Sequence, residues 1–226
     1  MPIVMSSKKK VLAIYRLLDG HFGDLQWWPA EGPFEVIVGA ILTQNTSWTN
    51  VEKAIQNLKR EKCLVPENLY RARKERIEAL IKPSGYYRVK TRRLKKWLEF
   101  LFDEYDGCVA DMFREDWRTL RKKLLRVNGI GEETADSILL YAGRKPVFVI
   151  DQYTRRIFSR HGLINGMVGY EEIQRFITDR LPVDVPLYNQ YHALLVNTGK
   201  QFCKKDPLCM TCPLGRMRRT KSGGSY

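Results

Sequence analysis

The sequence has no long apolar run and only five cysteines among its 226 residues. No hydrophobic stretch approaches the roughly 20 residues of a membrane-spanning helix. The first ten residues, MPIVMSSKKK, lack the apolar core and the small-residue cleavage site of a secretory signal. An odd number of cysteines, three of them near the C-terminus, is not typical of a disulfide framework. These absences predict a cytoplasmic chain without a membrane partner.

Histidine and acidic residues are also scarce. The three histidines, His21, His161 and His192, have no partner in any motif and are expected to be structural. Asp and Glu number 25 against 39 Lys and Arg, and the formal net charge of +14 suits a polyanion such as nucleic acid. Charge alone does not separate DNA from RNA, ribosomes or acidic lipid surfaces. The hydrophobic fraction of 44% can build one core or two small lobes.

Apolar residues recur at helical spacing along most of the chain, as in Val11, Ile14, Tyr15 and Leu18. Glycine and proline interrupt this pattern at intervals of ordinary helix length. The pattern therefore predicts an all-α fold of about ten helices. The short apolar run from Val147 to Ile150 follows a proline and is expected to be a buried extended connector rather than a strand.

Two glycines flank one apolar residue at Gly129-Ile130-Gly131, between two segments of helical pattern. Glycine at both places would allow positive φ and let a phosphate approach the backbone beside the N-terminus of the next helix, which carries Thr134. Such a hairpin grips DNA without reading its sequence. An ordinary helix-helix turn is the alternative for an isolated Gly-x-Gly.

The stretch from Val127 to Arg156, VNGIGEETADSILLYAGRKPVFVIDQYTRR, resembles the hairpin, Gly/Pro and Asp signature of the endonuclease III superfamily of DNA glycosylases. The resemblance implies two helical lobes around a DNA-binding cleft, a monomeric enzyme, and damaged double-stranded DNA as its partner, met at the nucleoid. It also implies that Asp151 is catalytic. A carboxylate there would stabilise the positive charge that develops on the sugar, although an aspartate in this setting can also be a helix N-cap.

Bifunctional members of this superfamily carry a lysine two residues after the second glycine of the hairpin. Glu133 occupies that position here. A carboxylate cannot form the Schiff base of the lyase reaction. The resemblance therefore predicts a monofunctional glycosylase that uses water and leaves an abasic site, unless a lysine from elsewhere reaches the sugar.

The N-terminal third carries Trp27-Trp28-Pro29 and the segment from Thr43 to Trp48. Together with KPSGYY and GIGEETAD, these segments resemble the 3-methyladenine DNA glycosylase III branch of the superfamily. This resemblance implies a base pocket and a set of DNA-binding residues, with Gln44 filling the gap that a flipped nucleotide leaves. The pocket residues are Trp27, Trp28, Pro29 and Trp48, and the DNA-binding residues are Gln44, Asn45, Gly129, Ile130, Gly131 and Thr134.

Two other functions remain open. The pocket could take an oxidised pyrimidine or a mismatched thymine, which would require more polar contacts than WWP offers. The chain could also be a non-catalytic helix-hairpin-helix module that only binds DNA.

Three cysteines near the end, Cys203, Cys209 and Cys212, resemble the end of the endonuclease III iron-sulfur domain. The first gap is one residue shorter than in the family, and Arg218 stands where the fourth cysteine is expected. Three thiolates could hold a [4Fe-4S] cluster with another fourth ligand, hold a [3Fe-4S] cluster, or hold nothing. We expect one lobe at 32–145, with the helix-hairpin-helix at 124–141. The other would combine 1–31 with 146–226 and include the cysteine segment 203–212.

Overall fold

The computed structural model describes residues 7–165 and 167–217, and all regular structure in these ranges is helical, as the sequence predicts. None of the helices in the described ranges is long and apolar enough to cross a membrane. The chain divides into two compact units: residues up to Trp27 join those from Pro146 onward, and Trp28 to Lys145 form the other unit. Arg218 and the last eight residues lie outside the described residues.

The helices of the Trp28–Lys145 unit are α2 (Pro33–Leu42), α3 (Trp48–Arg60), α4 (Pro66–Arg71), α5 (Lys74–Ile81), a 3₁₀ turn (Lys82–Ser84), α6 (Tyr87–Tyr105), α7 (Val109–Met112), α8 (Trp117–Leu124), α9 (Glu132–Ser137) and a π-helix (Ile138–Ala142). Helix α2 begins at a proline, which suits a helical N-terminus, and is buried from Val36 to Leu42. It packs against α3, α6, α9 and the π-helix, so it forms the centre of this unit.

The predicted hairpin lies between α8 and α9. Asp116 caps α8 through hydrogen bonds from the backbone N–H groups of Arg118 and Thr119. In the turn, Gly129 has a φ of +92°, a region that favours glycine. Gly131 has a φ of −93° and a ψ of 179°, so the expectation of positive φ at both glycines is wrong for this position. Gly131 is the N-cap of α9, and N-cap residues have ordinary extended backbone.

The other unit contains α1 (Ser7–Phe22), α10 (Gln152–Arg160), α11 (Tyr170–Thr178) and α12 (Val185–Gln201). Helix α12 packs against both α1 and α10. The run from Val147 to Ile150 is a buried connector without regular structure, which confirms the prediction. Side chains of α11 form hydrogen bonds with the backbone of this connector. Tyr170 Oη accepts from Ile150 N at 3.1 Å, and Gln174 Nε2 donates to Phe148 O at 2.6 Å.

Candidate functional site

An aromatic cluster of Trp28, Trp48 and Tyr141 lies in the Trp28–Lys145 unit. The rings of Trp28 and Tyr141 are stacked, with centroids 4.9 Å apart and an interplanar angle of 26°. Trp48 meets Trp28 edge-on at 5.1 Å. Gly39 of α2 underlies the indole of Trp28, because a Cβ there would lie only 3.4 Å from Trp28 Nε1. The cluster therefore presents connected aromatic surfaces of the kind that hold an unstacked base.

The sequence prediction grouped four pocket residues, and the structure brings only two of them into this cluster. Trp27 belongs to the other unit, where its ring lies 5.8 Å from Nζ of Lys200 and its buried Nε1 has no hydrogen-bond partner among the described residues. Pro29 is exposed. Tyr141 was not predicted, since it comes from the π-helix, whose extra residue per turn a 3.6-residue pattern does not anticipate.

Gln44 is bound to the hairpin. Its Nε2 donates to Gly129 O at 3.1 Å and to Thr134 Oγ1 at 2.9 Å, while Arg93 of α6 donates to its Oε1. The aliphatic part of Arg93 covers Gly129, where a Cβ would lie 2.3 Å from Arg93 Cγ. Asn45 follows with a φ of +55° and an exposed side chain. The loop that carries Gln44 and the hairpin are thus coupled through an arginine that sequence reasoning did not select.

The remaining hairpin residues have distinct roles. Ile130 is 4% exposed and its N–H donates to Val127 O at 3.0 Å, so its side chain anchors the turn in the core. Space around Gly131 is open: a Cβ there would meet nothing within 4 Å. Glu133 lies in the first turn of α9, and its carbonyl accepts from Ser137 Oγ at 2.7 Å.

Asp151 is a buried carboxylate at the N-cap of α10. Its Oδ1 accepts the Thr154 N–H at 2.7 Å, and its Oδ2 lies 3.6 Å from Nε2 of His192 on α12. Burial lowers the pKa of His192 below its ordinary 6.5, and the charge of Lys200 acts in the same direction, against the opposing effect of Asp151. The sequence treated His192 as merely structural. The structure places it beside the candidate catalytic carboxylate.

The three C-terminal cysteines line one small cavity of about 30 Å³, which has room for about one water molecule. Arg160 donates to Cys203 Sγ at 3.3 Å and to the backbone carbonyls of Lys204 and Lys205, and Arg156 donates to Cys203 O at 2.6 Å. Within residues 7–165 and 167–217, no set of three His, Cys, Asp or Glu side chains has a geometry that could hold a metal ion.

Solved structures with the same arrangement of helices define the class of fold. A non-covalent endonuclease III–DNA complex is similar with a TM-score of 0.80 and 24% identity, covering 94% of this chain and 95% of that chain. The H. pylori 3-methyladenine DNA glycosylase bound to 1,N6-ethenoadenine is similar with a TM-score of 0.75 and 26% identity, covering 87% and 98%. The fold is thus that of endonuclease III.

Sequence comparison identifies the family within that fold. The model of the HhH-GPD superfamily of base excision DNA repair proteins matches residues 38–182. A candidate DNA repair glycosylase of Methanocaldococcus jannaschii is 47% identical over 206 residues, which is 90% of this chain and 93% of the relative. The chain belongs to the HhH-GPD superfamily and is a DNA glycosylase of base excision repair.

Proposed function

We propose that this glycosylase removes an alkylated base such as 3-methyladenine from double-stranded DNA by hydrolysis. The observation that carries the proposal is the aromatic cluster, in which Trp28 is stacked on Tyr141 and met edge-on by Trp48. An alkylated purine is cationic, so aromatic faces bind it more strongly than a neutral base. A cationic base is also a good leaving group and needs little acid assistance.

Asp151 supplies the catalytic carboxylate in this proposal. Its charge stabilises the oxocarbenium-like sugar and orients or deprotonates the attacking water. The hydrogen bond from Thr154 N–H to Oδ1 fixes the carboxylate, so the N-cap and the catalytic role belong to the same side chain. The two readings of Asp151 that the sequence left open are compatible.

The hairpin and Gln44 bind the DNA. Open space at Gly131 admits a phosphate oxygen to the backbone, and Gln44 leaves its hydrogen bonds on Gly129 and Thr134 to fill the gap in the duplex. All of these groups come from one chain, so we expect a monomer to suffice. We expect it to act in the cytoplasm, on nucleoid DNA.

The experiment is base release from alkylated duplex DNA by the wild type, Asp151→Asn and Asp151→Ala. Asparagine is as good an N-cap as aspartate, so Asp151→Asn removes the charge and keeps the cap. We expect the wild type to release 3-methyladenine and Asp151→Asn to lose about 10²- to 10³-fold in kcat at unchanged stability. Asp151→Ala should lose about 1 kcal/mol of stability as well.

Other results would reassign the function. Release of an oxidised pyrimidine or a mismatched thymine, but of no alkylated base, would move the substrate to the alternative class. DNA binding without release of any of these bases would identify a binding module. Equal turnover by Asp151→Asn would remove this residue from catalysis.

The absence of lyase activity is a separate part of the proposal. It is supported by the carboxylate of Glu133 at the position of the lyase lysine. Borohydride trapping on abasic DNA tests it: the wild type should give no covalent adduct, and Glu133→Lys should gain one. The control tests whether the exposed Lys200 supplies the amine instead. If the wild type gives an adduct that disappears in Lys200→Ala, Lys200 is the amine.

A further inference from the structure

The two oxygens of the Asp151 carboxylate have different surroundings. Oδ1 is occupied by the Thr154 N–H at 2.7 Å, while Oδ2 faces His192 Nε2 at 3.6 Å. Both side chains are buried, at 8% exposure for Asp151 and 7% for His192. A distance of 3.6 Å exceeds a normal hydrogen bond, but a shift of half an ångström would form one, and catalytic hydrogen bonds often tighten only when substrate is bound.

Burial, more than the neighbouring charges, keeps the imidazole of His192 neutral at neutral pH. Burial lowers the pKa of His192, and the Lys200 ammonium on the same helix lowers it further, while Asp151 at the start of α10 raises it. Helix α1 also packs against α12. There Asp19 accepts a hydrogen bond from Gln190, and the ring of Tyr15 meets that of Tyr191. On α10, Arg156 donates to the carbonyl of Gly199.

The protonation state of the imidazole determines what it does to the carboxylate. A neutral imidazole with hydrogen on Nε2 can donate to Oδ2 and hold it without cancelling its charge. An imidazolium would form an ion pair with Asp151 and reduce the negative charge available to the sugar. Only the neutral form leaves Asp151 both oriented and fully charged.

We propose that His192 is a positioning residue for Asp151: its neutral imidazole orients Oδ2 during base excision, and its protonation turns the reaction off in acid. The inference rests on the proposed role of Asp151 as the catalytic carboxylate. It adds a second buried group to the reaction, one that touches neither the base nor the sugar.

Three variants test it in single-turnover base excision as a function of pH. His192→Gln keeps an amide donor near the position of Nε2 but cannot be protonated, and His192→Leu keeps bulk without a donor. We expect His192→Leu to lose about 10- to 100-fold in kcat with unchanged affinity for DNA. His192→Gln should restore part of that loss. Asp151→Asn is measured beside them.

The pH profile is the readout that a purely structural role would not move. Wild-type kcat should fall as the pH drops below 6.5, whereas the acid limb of His192→Gln should lie at lower pH. A wild-type acid limb in His192→Gln, or a normal kcat in His192→Leu, would overturn the inference. If His192→Leu does not fold, the pH profile of His192→Gln still tests the inference. Full activity of Asp151→Asn would instead refute the proposed role of Asp151 itself.

Discussion

Trp28 and Tyr141 stack on one another, with ring centroids 4.9 Å apart and planes inclined by 26°. One tryptophan face is thus already covered by an aromatic partner in the free protein. Tyr141 and Trp48 thus fix the orientation of the Trp28 indole from two sides.

The stack can be tested with two substitutions of Tyr141. Tyr141→Phe keeps the ring, and Tyr141→Leu removes it. Aromatic pairs contribute about 0.5–1.5 kcal/mol beyond their buried area, so Tyr141→Leu should lower kcat/KM for 3-methyladenine release by about 2- to 12-fold relative to Tyr141→Phe. Affinity for undamaged duplex is the control and should be equal in both variants. Equal kcat/KM values would mean that the stack does not support the base.

The two hairpin glycines should respond differently to alanine. At Gly129 an alanine would have a φ of +92° and its Cβ would overlap Cγ of Arg93, so Gly129→Ala should destabilise the protein by about 1–2 kcal/mol or more. At Gly131 the backbone is extended and the space is open, so Gly131→Ala should lose no more than about 1 kcal/mol, the preference of an N-cap for glycine over alanine. The same methyl group would obstruct a phosphate, and we expect Gly131→Ala to bind DNA more weakly. Normal DNA affinity of a folded Gly131→Ala would place the phosphate elsewhere.

Arg93 and Gln44 should be energetically coupled because they share a hydrogen bond on the hairpin. Arg93→Met keeps the aliphatic contact with Gly129 and removes the donor. Residues in one hydrogen-bond network typically show coupling energies of about 0.5–3 kcal/mol. A double-mutant cycle of Arg93→Met and Gln44→Ala, measured as Kd for duplex DNA with an abasic-site analogue, should be non-additive. Additive effects would show that the two side chains act independently on DNA.

Lys90 gives the stability a defined pH dependence. Its side chain is fully buried, with Nζ donating to Ser84 O at 2.5 Å, and burial lowers its pKa from 10.5 to about 8. The folded state therefore binds fewer protons than the unfolded state between pH 8 and 10.5, and this group adds stability as the pH rises through that window. Between pH 8 and 10.5 the free energy of unfolding of the wild type should therefore rise by up to about 3 kcal/mol relative to that of Lys90→Met. Chemical denaturation measures both free energies of unfolding. If they change with pH in parallel, the pKa of Lys90 is not lowered in the folded protein.

The C-terminal loop should be stable without iron. Arg160 donates to Cys203 Sγ and to two backbone carbonyls, so Arg160→Met should cost about 1–3 kcal/mol of stability. Cys203→Ser should cost less, and a chelator should leave the Tm unchanged. Elemental analysis could contradict this prediction. Four irons per chain, lost together with stability in Cys203→Ser, would show that the loop binds a cluster.

The sequence predicted the fold because its strongest signals are local. Helical periodicity and the Gly/Pro breaks specify an all-α chain, and the stretch from Val127 to Arg156 specifies the superfamily. The connector at Val147 to Ile150 was also predicted, since it is a short apolar run that follows a proline. Each of these signals lies within one continuous stretch of the sequence.

The missed features depend on contacts that no local pattern encodes. Nothing in the local sequence around Arg93 indicates that its side chain packs over Gly129. His192 reaches Asp151 only because α12 and α10 pack together. At Gly131 the glycine spacing suggested positive φ, but the demands of an N-cap determined the backbone. Tertiary packing thus placed Arg93 and His192, whereas the helix terminus set the backbone of Gly131.

The π-helix at Ile138–Ala142 makes the aromatic cluster sensitive to chain length as well as to composition. A π turn holds about one residue more than an α turn, and one residue of an α-helix corresponds to a rotation of about 100°. Deleting a single residue here would restore regular winding and turn Tyr141 away from Trp28, with no change in the chemistry of either side chain. A one-codon deletion or insertion would therefore rearrange the aromatic cluster while the rest of the helical scaffold stays the same.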